Sequence, residues 1–165
     1  MKSKRLIKIT CISILILAFS YTSYKVIDIL SHFAGSNVYS ERYTFNKKRE
    51  DLISKINYFK NQEPQFKVMT TFEDKTRGEL PDKYIQNFYR FYFYLPEEKI
   101  TVHCVINTNG ADLPVVLQFV GISRSANFAS WERINTDQLS KKDNKEIKKK
   151  FETEILDKLG KWKRD

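Results

Sequence analysis

Histidine and cysteine are common catalytic bases, nucleophiles and metal ligands, and this chain has two of each. His103 and Cys104 are adjacent in the sequence. Successive side chains of a strand point to opposite faces, so these two cannot act together as base and nucleophile. Cys104 falls on an apolar face, where cysteine packs as a small hydrophobic residue. Because the chain also lacks EF-hand spacing, we expect no metal site and no cofactor.

Carboxylates and serines raise a second kind of chemistry, hydrolysis. Glu73-Asp74 falls in a polar segment and Glu97-Glu98 in a turn, where acidic side chains are usually solvated. Ser123 follows an apolar strand, but the chain has no G-x-S-x-G, Walker or dinucleotide-binding motif. We therefore expect no catalytic residues, and a small hydrolase remains an alternative.

The aromatic run Phe88–Leu95 (FYRFYFYL) is typical of a strand that carries a recognition surface. Alternation along the strand puts Arg90, Tyr92 and Tyr94 on one face. His103 is expected beside them on the next strand. Since exposed tyrosine and arginine are enriched in protein interfaces, these four residues are the predicted protein-binding site. The alternative is that loops of the chain itself cover this face.

Two polar segments, 73–83 and 124–140, are predicted to be mainly irregular, and either could provide that cover. Between them, three strands joined by short turns predict an antiparallel meander. The strands are expected at Phe88–Leu95, Lys99–Asn107 and Pro114–Ser123, with a hairpin at Asn109-Gly110.

One helix is predicted before these strands along the chain and one after them. Asn46 is the expected N-cap of a helix over 47–61, which Pro64 ends. A second helix is expected to start near Asp143 and to run to the end of the chain. Its apolar stripe is Ile147, Phe151, Ile155, Leu159 and Trp162. The lysines between these positions suggest an alternative function, attraction of this helix to anionic lipid or glycan.

The fold class that follows is α+β, a small domain with an antiparallel three- to four-stranded sheet and helices packed on one face. We expect a basic end, a transmembrane helix and its amphipathic extension over residues 1–34. A linker is expected over 35–45, and the α+β domain over 46–165.

The transmembrane prediction rests on Leu6–Tyr24, nineteen residues with one charge, Lys8. As a helix they would rise about 28 Å, close to the hydrocarbon thickness of a bilayer. The cations before Leu6 favour a cytoplasmic N-terminus. A cleaved signal peptide, with cleavage after Ser20, and a soluble buried segment are the alternatives. The anchor and the cleaved signal both place the domain outside the cytoplasm, and the anchor makes this a single-pass protein of the cell membrane.

The net charge of +9 is unevenly distributed, with +6 over residues 1–50, −1 over 51–140 and +4 over 141–165. The nearly neutral middle of the chain argues against a nucleic-acid partner. The sequence thus predicts a non-catalytic protein-binding module displayed on the extracytoplasmic side. The layout is similar to that of membrane assembly factors and small membrane-anchored immunity proteins, a likeness that rests on no shared motif.

Overall fold

The structure is a computed structural model that describes residue 37 and residues 39–109, 112–125 and 128–165. Asn37–Asp165 form one compact unit. The predicted span, Leu6–Tyr24, the alternative cleavage site at Ser20 and the amphipathic extension lie outside the described residues. Within the part that is described, no helix is both long and apolar enough to cross a membrane.

An antiparallel sheet of seven strands forms the centre of the described unit, and a separate two-stranded hairpin lies beside it. The sheet order is β4-β5-β6-β7-β1-β9; β8 pairs with β7 beyond the end of β1, and β2 pairs with β3 in the hairpin. The strands are β1 (Glu41–Phe45), β2 (Met69–Thr71), β3 (Arg77–Glu79), β4 (Lys83–Ile85), β5 (Phe88–Leu95), β6 (Ile100–Asn107), β7 (Val115–Ser123), β8 (Glu132–Arg133) and β9 (Trp162–Arg164). The α+β class is confirmed, but the sheet is larger than the predicted three to four strands.

Helices cover one face of this sheet. Helix α1 (Arg49–Gln62) is followed by a 3-10 turn, and α2 (Lys141–Phe151) continues through a π-helical stretch into the short α3 (Asp157–Leu159). The ring of Phe151 in α2 packs 4.9 to 5.9 Å from the rings of Tyr43, Phe93 and Phe119, which come from three different strands. This helix-covered side contains the buried core, as the alternation in β5 and β6 predicts.

The predicted linker, 35–45, is wrong over its last five residues, because Glu41–Phe45 is β1. This strand lies between β7 and β9, and Tyr43 and Phe45 are fully buried. The domain therefore begins before residue 46. The strand partners of β1 lie 70 or more residues away along the chain, so the local sequence gives little indication of the pairing.

The helix ends also differ from prediction. Lys48, rather than Asn46, occupies the N-cap of α1, and it makes no side-chain cap hydrogen bond. The Ser140 hydroxyl caps α2 by accepting from the Asp143 backbone N–H at 3.0 Å, so the helix starts earlier than expected. Gly160 ends the last helix with φ at +125°, a value that side chains disfavour, and Trp162 consequently lies on β9.

Candidate protein-binding face

The register between β5 and β6 brings the four predicted site residues onto one side of the sheet. Tyr92 is the direct cross-strand partner of His103. Arg90 and Tyr94 lie two residues before and after Tyr92, so their side chains share its face. This side, opposite the helices, is called the open face below.

An aromatic cluster covers the middle of the open face. It consists of Tyr92, His103, Trp131 and Phe128. The His103 ring stacks on Tyr92 with centroids 5.1 Å apart, and the Trp131 ring lies 5.4 Å from His103. Phe128 stacks on Trp131 at 6.0 Å. Residues of the 124–140 segment therefore cover part of the predicted site, which the sequence left open as an alternative.

The cover divides the predicted site into two pairs. Tyr92 is 9% exposed and His103 is largely enclosed, so both serve mainly as support. Arg90 and Tyr94 remain partly exposed and can reach a ligand.

A glycine allows the covering segment to come close to the sheet. Gly121 in β7 faces β8, and a Cβ atom at this position would lie 2.6 Å from the carbonyl oxygen of Glu132. Any larger residue would push β8 away. The absence of a side chain at Gly121 thus helps to bring Trp131, the residue before β8, over the open face.

The imidazole of His103 is held in its neutral form. Burial lowers its pKa to about 4, and the positive charge of Arg90 adds to the shift. Among the described residues, its Nε2 atom is buried without a hydrogen-bond partner, and so is Nε of Arg90. At neutral pH this histidine acts as an uncharged ring within the aromatic cluster.

A groove of about 600 Å³ opens next to Tyr94. Its walls come from the β2–β3 hairpin, the β5–β6 turn and the segment after β7. Four cations line it: Lys67, Arg77, Lys99 and Arg124. No Asp or Glu is among the described residues that line it, and the apolar side chains of Val68, Met69 and Phe128 complete the walls. We call this feature the basic groove.

Two of the four cations are paired at the rim. Lys67 lies 2.9 Å from a carboxylate oxygen of Glu79, and Arg124 lies 3.3 Å from one of Glu132. Within the described chain, Arg77 and Lys99 make no ion pair, and both are exposed. No local sequence pattern predicts the groove, because its cations come from four separate segments.

The other candidate residues of the sequence have structural roles. Cys104 is fully buried, and burial raises the pKa of its thiol. Ser123 is 1% exposed, and its hydroxyl bonds to the backbone of Ser125. Glu97 and Glu98 both pair with Lys150 of α2. In the described part of the chain, no group of three or more His, Cys, Asp or Glu side chains is placed to hold a metal ion.

Five of the six lysines of α2 fall into two groups. Lys148 pairs with Glu41 at 2.8 Å, and Lys150 has three acidic neighbours. Lys141, Lys145 and Lys149 are exposed at four-residue intervals, so they share one side of the helix. These three form the lysine stripe.

Comparisons with known proteins add no functional assignment. No family model, curated protein or solved structure matches this chain. The open face, the basic groove and the lysine stripe are thus the candidate functional surfaces of the described residues.

Proposed function

We propose that this chain is a non-catalytic protein-binding module, anchored in a membrane through residues 6–24 and displayed on the extracytoplasmic side. The observation that carries the proposal is the position of Arg90 and Tyr94. Both are partly exposed on the open face, and Tyr94 also lines the basic groove.

Rigidity supports a binding role for this face. Arg90 and Tyr94 lie on β5, which pairs with β6 along its whole length and with β4 as far as Arg90. Between these two residues, the ring of Tyr92 stacks on that of His103 in β6. Groups held in place before binding lose little conformational entropy when a partner docks. A membrane anchor adds to this by raising the effective concentration of the module near a membrane-bound or incoming partner. An assembly factor or an immunity-type protein would use both properties.

The inaccessibility of the nucleophiles supports a non-catalytic role. The Cys104 thiol is buried in the core, and the Ser123 hydroxyl is held by the backbone of Ser125. A hydrolase that used either nucleophile would need it exposed beside a base. His103 is the histidine of the domain, and it is enclosed by aromatic rings. The hydrolase alternative thus has less structural support than binding.

Site-specific photocrosslinking in cells tests the proposal. A photoreactive phenylalanine analogue would replace Tyr94 on the open face. The matched control is Tyr58, a tyrosine of α1 that is 59% exposed. We expect a discrete adduct with one membrane or extracytoplasmic protein from position 94 and not from position 58. Equal adducts from both positions, or none from position 94, would contradict a binding role for this face.

The lysine stripe favours a second candidate function, electrostatic attachment of the domain to anionic lipid or glycan. Three exposed lysines on one side of a helix can attract an anionic surface by about 1 kcal/mol each. Replacing Lys141, Lys145 and Lys149 by Gln should then abolish salt-sensitive binding to phosphatidylglycerol vesicles, whereas Arg90→Gln should leave it unchanged. Binding that persists at high salt would argue against this function.

A further inference from the structure

Building on the proposed function, we infer that the basic groove is the site that recognises the partner, and that it takes an extended acidic peptide segment. The charge, the lining and the position of the groove support this assignment.

The charge of the groove selects for carboxylates. Four cations converge on it, and the described residues lining it include no acid. Glu79 and Glu132 balance Lys67 and Arg124 from the rim, which leaves Arg77 and Lys99 for a ligand. Arginine binds carboxylates through two parallel hydrogen bonds, so Arg77 adds geometric selectivity to the attraction.

The apolar part of the lining favours a peptide over a free anion. Val68, Met69 and Phe128 lie among the cations, and Met69 is 49% exposed. A phosphate ion or headgroup would use the cations and leave the exposed Met69 and the partly exposed Phe128 in water. An extended peptide places successive side chains on opposite sides, so acidic residues can face the cations while apolar residues bury the walls.

The groove also joins the aromatic cluster. Phe128 lines the groove and stacks on Trp131, while Tyr94 adds a hydroxyl at the β5 side. A segment bound in the groove would thus continue onto the partly exposed Arg90–Tyr94 surface. This continuity is the reason to place the acidic segment on the same partner that the open face binds.

The test uses the full chain in nonionic detergent and a fluorescent octapeptide with four Glu alternating with four Val. Its control replaces each Glu by Gln. Arg77→Gln is combined with Lys99→Asn, because Lys99 has φ at +54° and asparagine tolerates that conformation. The matched control pair, Lys141→Gln with Lys145→Gln, removes the same charge from the lysine stripe.

We expect anisotropy to show binding of the Glu peptide that weakens as salt is raised from 50 to 500 mM. The Gln peptide should bind at least tenfold more weakly. The groove pair should lose roughly fivefold in affinity, with an unchanged melting temperature, because both residues are exposed and unpaired in the described chain. The control pair should bind as the wild type does.

Three results would overturn the inference: equal binding of the Gln peptide, an equal loss in the control pair, or no binding of the Glu peptide. In the third case, binding to phosphatidylglycerol nanodiscs that the groove pair abolishes would make the groove a lipid site. Failure of the proposed function is seen separately. An adduct from position 94 without peptide binding would support the proposed function and contradict the peptide inference. Peptide binding without an adduct would support the peptide inference and contradict the proposed function.

Discussion

The imidazole of His103 stacks on the phenol ring of Tyr92, with centroids 5.1 Å and planes 16° apart. The two residues are direct partners across β5 and β6, and the indole of Trp131 lies within 5.4 to 6.1 Å of both rings. The open face therefore contains a largely enclosed titratable group between two aromatic rings. Its protonation would place a charge among aromatic rings beside Arg90.

The first prediction is a loss of stability as the pH falls from 7 to 5. The folded-state pKa of His103, about 4, lies below the ordinary value of 6.5. The unfolded chain therefore binds more protons between these values, and the contribution of His103 is present above pH 6.5 and lost as the pH falls towards 4. Linkage gives a decrease of about 2 kcal/mol in the free energy of unfolding between pH 7 and 5. Urea unfolding of the wild type and His103→Gln would measure it, since the variant should lack this component. Parallel pH profiles would contradict the assignment.

The second prediction concerns Trp131→Ala. Removing the indole opens His103 to water, which reduces the desolvation that lowers its pKa. The NMR titration midpoint of His103 should then rise from about 4 towards 6.5. Tyr58→Ala, which removes an exposed aromatic ring from α1, should leave the titration midpoint of His103 unchanged. If Trp131→Ala does not move the midpoint, something other than this cover keeps His103 neutral.

The helix-covered side of the sheet could be predicted because its pattern is local. Phe91, Phe93 and Leu95 alternate with more polar neighbours, and all three are fully buried. β7 shows where alternation fails. The pairing register between β6 and β7 shifts between His103 and Cys104, so Val120 of β7 has no partner on β6. Strict alternation would put Ile122 on the face of Val116 and Gln118, but the shift places it in the core opposite Val102.

The candidate site could be predicted only in part. Alternation correctly places Arg90, Tyr92, Tyr94 and His103 together, since each position follows from strand geometry. Their cover and the basic groove depend on tertiary contacts of segments predicted as loops. Arg77 lies on β3, inside the segment 73–83, and its approach to Tyr94 has no local sequence pattern.

The third prediction is that Gly121→Ala displaces β8. The new methyl group would meet a backbone oxygen, which cannot move without breaking the β7–β8 pair. We expect a loss of about 1–3 kcal/mol and a red shift of Trp131 fluorescence, read in a Trp162→Phe background. Gly78→Ala is the control, because its Cβ would meet only the exposed Phe72 ring, which can rotate away. Similar effects of the two substitutions would mean that close approach at Gly121 is unimportant.

The fourth prediction concerns the buried ion pair between α1 and the start of β4. Lys60 Nζ lies 2.6 Å from an oxygen of Asp82, and the two side chains are 3% and 8% exposed. The Asp82 carboxylate also accepts from the backbone N–H of Tyr92 at 3.0 Å, which ties the pair to the open-face strand. Burial lowers the pKa of Lys60 and raises that of Asp82, so desolvation opposes both charges.

Removing one partner should consequently cost more than removing both. Asp82→Asn keeps an acceptor for the backbone N–H of Tyr92 but leaves the buried charge of Lys60 without its partner. We expect the free energy of unfolding to fall by about 3–5 kcal/mol. Lys60→Met combined with Asp82→Asn should be less destabilised than the sum of the two single variants by at least 2 kcal/mol. The surface pair Arg42–Asp165, with side chains 41% and 34% exposed, gives the reference cycle and should show a coupling below about 1 kcal/mol. Urea unfolding of the full chain in detergent measures both cycles. A coupling at Lys60–Asp82 no larger than that of the surface pair would show that the buried charges do not depend on each other, and that α1 is held to the sheet by its apolar contacts alone.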